Sequence, residues 1–169
     1  LKNADAGLCS SMGFCPNVPR AGGLKTLIPP KDGGTMEIFN FKDCEDVVID
    51  KFPFKGRDLE VKGTSIRWLS RAGDDGTGYP EYGLRFFTIQ PDGEIPIHNH
   101  FYHQTMYILS GTFECYQYDL ETEEAVLSTV TEAGDFVYVP SMEPHGMKNI
   151  GSEPGTFLCC IANIYEEKV

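Results

Sequence analysis

The chain has 169 residues, a length that suits one domain of ordinary size and can bury a sizeable core. Hydrophobic residues make up 41% and charged residues 23%, which excludes a disordered polyelectrolyte. A formal charge of -11 would repel phosphate backbones, so nucleic acid is excluded as a partner, and no apolar run approaches the ~20 residues of a membrane span.

Residues 1–33 are rich in Gly, Pro, Ser and Asn and close on I-P-P-K-D-G-G. Breakers at this density predict an irregular N-terminal arm. Its apolar residues, among them Leu8, Met12, Phe14 and Leu27, are too many for a plain linker. The arm is expected to pack on its own domain or on a neighbouring subunit. The start, L-K-N-A-D-A-G-L, shows no basic-then-apolar signal pattern. The six cysteines form no C-x-x-C pair and no zinc-finger spacing. Cys115, Cys159 and Cys160 read as free thiols in strands, while Cys9 and Cys15 could bridge or bind a ligand. Together these features favour a reduced, cytoplasmic setting.

From Met36 onward, short β-branched and aromatic runs alternate with turn residues, so residues 34–169 read as the folded domain. Strands are expected at 36–41, 46–50, 64–70, 82–90, 94–100, 104–110, 111–119, 124–131, 135–140, 145–150 and 155–165. Their spacing predicts an all-β sandwich or barrel. Turn signals stand at P-D-G 91–93, S-G 110–111, A-G-D 133–135 and G-S-E-P-G 151–155. Residues 72–82 read as a loop whose tyrosines could cap the mouth of a barrel.

Within this pattern, P-I-H-N-H-F-Y-H-Q places His98 and His100 two apart. In a strand, positions i and i+2 share a face, so both imidazoles can reach one point. Gln104 opens the next apolar run and His145 follows in P-S-M-E-P-H-G. Three imidazoles and an amide oxygen would make a site for a mid-row transition metal. His103 falls off the alternation and reads as a strand-edge residue, a further ligand or a proton shuttle. If Gln104 faces inward, so does Met106, and if His145 does, so does Met147. Tyr138 shares a face with Phe136, with the direction left open. Arg85 is either a surface residue or, if inward, an anchor for a substrate carboxylate.

Two longer spacings carry a family resemblance. His98, His100, Gln104 and Gly111 follow the spacing of G-x5-H-x-H-x3-E-x6-G, with Gly93 five positions before His98, one short of the pattern, and Gln104 where a glutamate is usual. Gly134, Pro140, His145 and Asn149 follow the second pattern, except that Met142 stands where it has a glycine. Over residues 80–165 the chain thus resembles the cupin family. The resemblance implies a double-stranded β-helix, or jelly-roll barrel. Inside it one divalent transition metal would be held by His98, His100 and His145, with Gln104 as a ligand or a hydrogen-bonding neighbour. It also implies a homodimer formed by exchange of N-terminal segments.

Glutamine in place of glutamate leaves the full charge of the metal uncancelled, so the site should favour an anionic ligand. The expected function is oxidation of a small, anionic, metal-chelating substrate by dioxygen at Fe(II), with Mn, Ni or Zn as other metals the imidazoles accept. Arg85, Met106, Tyr138 and Met147 would contact the substrate and His103 would move a proton. Non-oxidative Lewis-acid isomerisation or decarboxylation is the alternative, as is a ligand-binding barrel without turnover.

Overall fold

A computed structural model describes residues 38, 40–70 and 82–162. The arm at 1–33, Cys9, Cys15 and the loop up to residue 81 lie outside the described residues. The chain divides into two units, Leu1–Glu45 and Asp46–Val169. In the first, a short 3-10 helix spans Phe41–Asp43 where the sequence pattern predicts the end of a strand. The Asn40 side chain accepts from the Lys42 amide, and the Asp43 carboxylate accepts from the Asn40 amide. This reciprocal cap satisfies donors that an extended chain would leave to water.

The second unit is all-β. Its strands are β1 Val47–Phe54, β2 Arg57–Ser70, β3 Tyr82–His98, β4 Gln104–Ser110, β5 Thr112–Tyr118, β6 Ala125–Glu132, β7 Phe136–Val139, β8 His145–Asn149 and β9 Gly155–Ala162. They form one antiparallel sheet in the order β6-β5-β8-β3-β9-β4-β7, with β2 also on β3 and β1 on β2. The sheet curls into the jelly-roll barrel expected from the resemblance.

Two local signals read differently in the structure. Lys55 and Gly56, at φ 48° and 76°, make a two-residue hairpin loop between β1 and β2. Positive φ at both central positions matches the twist of the flanking strands. The predicted turn at P-D-G 91–93 does not reverse the chain, and the two strands expected around it are one long β3. Its first half pairs with β9 (Tyr82 to Ile89) and its last residues pair with β8 (Glu94 to His98). Asp92 at φ 59° marks the bend where β3 passes from one partner to the other.

Alternation along β9, β4 and the first half of β3 sends Phe87, Ile89, Met106, Ile108, Phe157 and Ile161 into one core with Ile66, Ile95 and Phe113. Burying such side chains supplies about 1.5–3 kcal/mol each. Phe113 fits only because position 155 is glycine: a Cβ there would stand 2.3 Å from the Phe113 ring.

Candidate metal centre

His98 ends β3 and His145 opens β8, and the two are direct cross-strand partners. His100 lies past the end of β3, so strand alternation does not aim it. Its own hydrogen bond does. His100 Nδ1 bonds the Tyr102 carbonyl at 2.8 Å, His98 Nδ1 the Pro96 carbonyl at 3.0 Å, and His145 Nδ1 the Glu143 carbonyl at 2.9 Å. A carbonyl can only accept, so each neutral ring carries its proton on Nδ1 and keeps its lone pair on Nε2.

Among the described residues, two of those lone pairs have no protein partner where burial makes this costly. The Nε2 atoms of His100 and His145 are buried without a hydrogen bond. One ring nitrogen from each of the three histidines lies within 4.8 Å of the others. Orphaned buried acceptors call for an explanation. A divalent cation between them supplies one, so the donor set fits the metal that the resemblance implies. Phe52 stacks on His98 at 4.9 Å and Tyr102 on His100 at 4.0 Å, which fixes two of the rings.

Burial, aided by repulsion from neighbouring rings and from Arg85, pushes His98 well below the ordinary imidazole range. Burial likewise lowers His100 and His145 to about 4.

Arg85 faces inward and is buried. Its Nη2 donates to Gln104 Oε1 at 3.2 Å and to Cys159 Sγ at 2.9 Å, and its guanidinium lies over the Trp68 and Phe87 rings. Burial opposes its charge, yet attraction to and hydrogen bonds with Cys159 and Tyr102 hold it above the ordinary arginine value. Burial pushes the Cys159 thiol up, against the pull of Arg85, so at neutral pH it stays protonated and cancels no charge. Among the described residues no Asp or Glu is buried. Among the described residues Arg85 Nε has no hydrogen-bond partner. The amide oxygen of Gln104 is thus turned to the guanidinium.

Met106 and Met147 are buried in the core, on the inward faces of their strands. Tyr138 is not: it is 52% exposed, opposite in direction to buried Val139. Its hydroxyl bonds His103 Nδ1 at 2.5 Å, and the two rings stack on the outer side of β7. The structure therefore groups neither His103 nor Tyr138 with the three rings. The cause is the pleat, since Val137 and Val139 take the inward positions of β7. Tyr102 reads from sequence as a packing or rim residue, yet it contributes a carbonyl, a stacked ring and a hydrogen bond toward Arg85. Its only signal was its place two residues after His100. Met142 keeps the left-handed backbone, φ 66°, that the family pattern serves with glycine, and its amide donates to the His100 carbonyl at 2.7 Å.

Residues 85–161 match the family model described as a cupin domain. The polyketide cyclase RemF from Streptomyces resistomycificus is similar in structure, with 21% identity, a TM-score of 0.58 and coverage of 79% of this chain and 88% of that one. A cupin-2 domain protein from Rhodospirillum rubrum, Rru_A2000, has 14% identity and a TM-score of 0.55 over 83% of this chain and 80% of its own. An oxalate decarboxylase from Bacillus subtilis has 23% identity and a TM-score of 0.51, with 62% of this chain covered and 26% of that longer one. No curated protein matches the chain. The family match, the curled antiparallel sheet and three converging imidazoles agree that residues 85–161 form a cupin domain.

Proposed function

We propose that His98, His100 and His145 hold one divalent transition metal, and that the protein oxidises a small, metal-chelating anion with dioxygen. Fe(II) is the metal this reading favours. One observation carries the anionic part: a buried guanidinium stands beside an uncharged ligand set, with no buried carboxylate among the described residues to balance it. Three neutral rings leave the charge of a divalent ion whole, and Arg85 adds one more. An anionic substrate supplies the missing counter-charge to both.

The metal, when bound, would polarise the chelating oxygens and, as iron, open a redox route to dioxygen. The chain's own residues do the rest. Each Nδ1 proton held by a backbone carbonyl keeps its imidazole in the ligating tautomer. Gln104 and Cys159 fix the Arg85 guanidinium from one side, leaving its Nε–H for the substrate. Phe52 and Tyr102 shield two of the rings from water. The exposed His103–Tyr138 pair has no part in this arrangement.

The test is oxygen consumption by the Fe(II)-loaded protein with oxalate, a β-diketone, a catechol and a thiol carboxylate, each with and without the enzyme. Turnover that consumes oxygen supports the reading. Anaerobic turnover with Zn(II) or Mn(II) assigns the barrel to Lewis-acid chemistry instead, and tight binding without product assigns it to ligand storage. His100→Ala should lose most bound metal by elemental analysis. A full equivalent retained would remove the ligand set.

A further inference from the structure

Buried polar atoms in a folded chain are almost always paired, so the few left over describe what is to bind. Among the described residues, the buried polar side chains outside the site are all satisfied by the fold. Thr64 Oγ1 donates to the Lys62 carbonyl at 3.0 Å, Thr131 Oγ1 to the Phe113 carbonyl at 3.5 Å, and Asn149 bonds three backbone groups. Within the site, every acceptor is also engaged. Gln104 Oε1 and Cys159 Sγ accept from Arg85, and the Pro96, Tyr102 and Glu143 carbonyls accept the Nδ1 protons of the rings. What is left over is one-sided. Arg85 Nε–H is a donor, the Gln104 amide nitrogen is a donor, and the Nε2 lone pairs of the rings are reserved for the metal.

The walls add no strong acceptor. Phe52 stacks on His98, Met147 follows His145 by two on the same face of β8, and Met106 follows Gln104 by two on the same face of β4. Both methionines are buried, and a thioether sulfur accepts hydrogen bonds only weakly. No carboxylate is buried among the described residues.

A carboxylate or enolate oxygen suits such a set, because it only accepts. A ligand ammonium does not. It has three protons to donate and no acceptor to receive them, and it would stand near two like charges, the metal and Arg85. A ligand hydroxyl falls between the two. Its oxygen can accept from Arg85 or Gln104, but its proton is left without a partner. We propose that the substrate is a carboxylate or enolate with an apolar body, carrying neither an ammonium nor a hydroxyl beyond the oxygens that meet the metal and Arg85. Zwitterionic amino acids and sugar acids fall outside this class, while alkyl or aryl 2-oxo acids and 1,3-dicarbonyl compounds fall within it. The class presupposes the metal and the anion-binding role of Arg85 proposed above.

Methylmalonate, hydroxymalonate and aminomalonate isolate this discrimination, since they differ only in the group on the central carbon. For Zn(II) alone in water, the hydroxyl and the amine each add a donor atom to the chelate, so the metal by itself does not favour the methyl compound. Calorimetric titration of the full chain loaded with Zn(II) measures the three affinities, and zinc has no redox chemistry to start turnover. Methylmalonate should bind at least about fivefold tighter than hydroxymalonate and at least about thirtyfold tighter than aminomalonate. Equal affinities, or a reversed order, overturn the substrate class while the metal and its anion site stand. If neither these three nor oxalate bind, the anion site itself fails and the substrate class falls with it.

Discussion

A carboxylate at position 104 would stand against Arg85 Nη2, where the glutamine oxygen now sits at 3.2 Å. The pair would be nearly isosteric with the present one, so the fold has no reason to object. The electrostatics would change sign locally, because the guanidinium would acquire a resident counter-ion and stop recruiting one from solution. Removing one partner from a buried charge pair costs ~2–5 kcal/mol, and supplying a competing partner acts on the same energy. Gln104→Glu should thus keep its metal and bind a chelating anion such as oxalate at least tenfold more weakly. Calorimetric titration of the metal-loaded variant checks this, and unchanged affinity would refute the role given to Arg85. Cys159 offers a contrast. It touches the same guanidinium, but its thiol is held protonated by burial and cannot take over as counter-ion.

At the scale of the element, Asn149 ends β8 and is fully buried. Its Nδ2 donates to the Ile89 carbonyl at 2.8 Å and to the Glu153 carbonyl at 2.9 Å, and its Oδ1 accepts from the Gly151 amide at 2.9 Å. It therefore ties the 150–154 turn to β3. Asn149→Ala leaves two carbonyls and an amide without partners, so urea unfolding should show a loss of about 2–4 kcal/mol with metal content intact. This also shows where the sequence was legible. Period-2 alternation exposed β4, β5 and β9 because each has one wet and one dry face. It failed at 91–93, where a turn-like triplet bends one long strand, and at Lys55–Gly56, whose hairpin geometry is carried by backbone torsions. The three histidines were legible from spacing alone, although His100 reaches the site through a carbonyl bond and not through strand alternation. The Arg85–Cys159 contact was not, because it joins residues on two strands whose pairing no local pattern announces. Tyr138 could not be assigned a face, since β7 is too short and too uniformly apolar for alternation to speak.

For the whole molecule, the three converging rings couple folding to pH. In the unfolded chain each histidine titrates near 6.5, whereas in the fold burial holds His100 and His145 at about 4 and His98 well below its ordinary range. Above pH 6.5 both states are neutral at these rings, and they add no pH dependence. Between 6.5 and about 4 the unfolded chain binds protons that the metal-free fold refuses, so stability falls as pH falls through this window. A shift of that size corresponds to about 3 kcal/mol per ring at full effect, which is a large part of the 5–15 kcal/mol of an ordinary domain. Metal loading works in the same direction as high pH, because it too requires neutral rings and binds only the folded state. The metal-free protein should therefore lose several kcal/mol between pH 7 and pH 5 in urea unfolding, before the carboxylates begin to titrate. The triple variant His98→Asn, His100→Asn, His145→Asn should lose little over the same interval. In the folded wild type, Zn(II) should stay bound to pH 5, because protons do not reach the rings of His100 and His145 until about 4. Release of zinc near pH 6.5 would mean that the rings are hydrated and separate, and that the buried cluster does not form in solution.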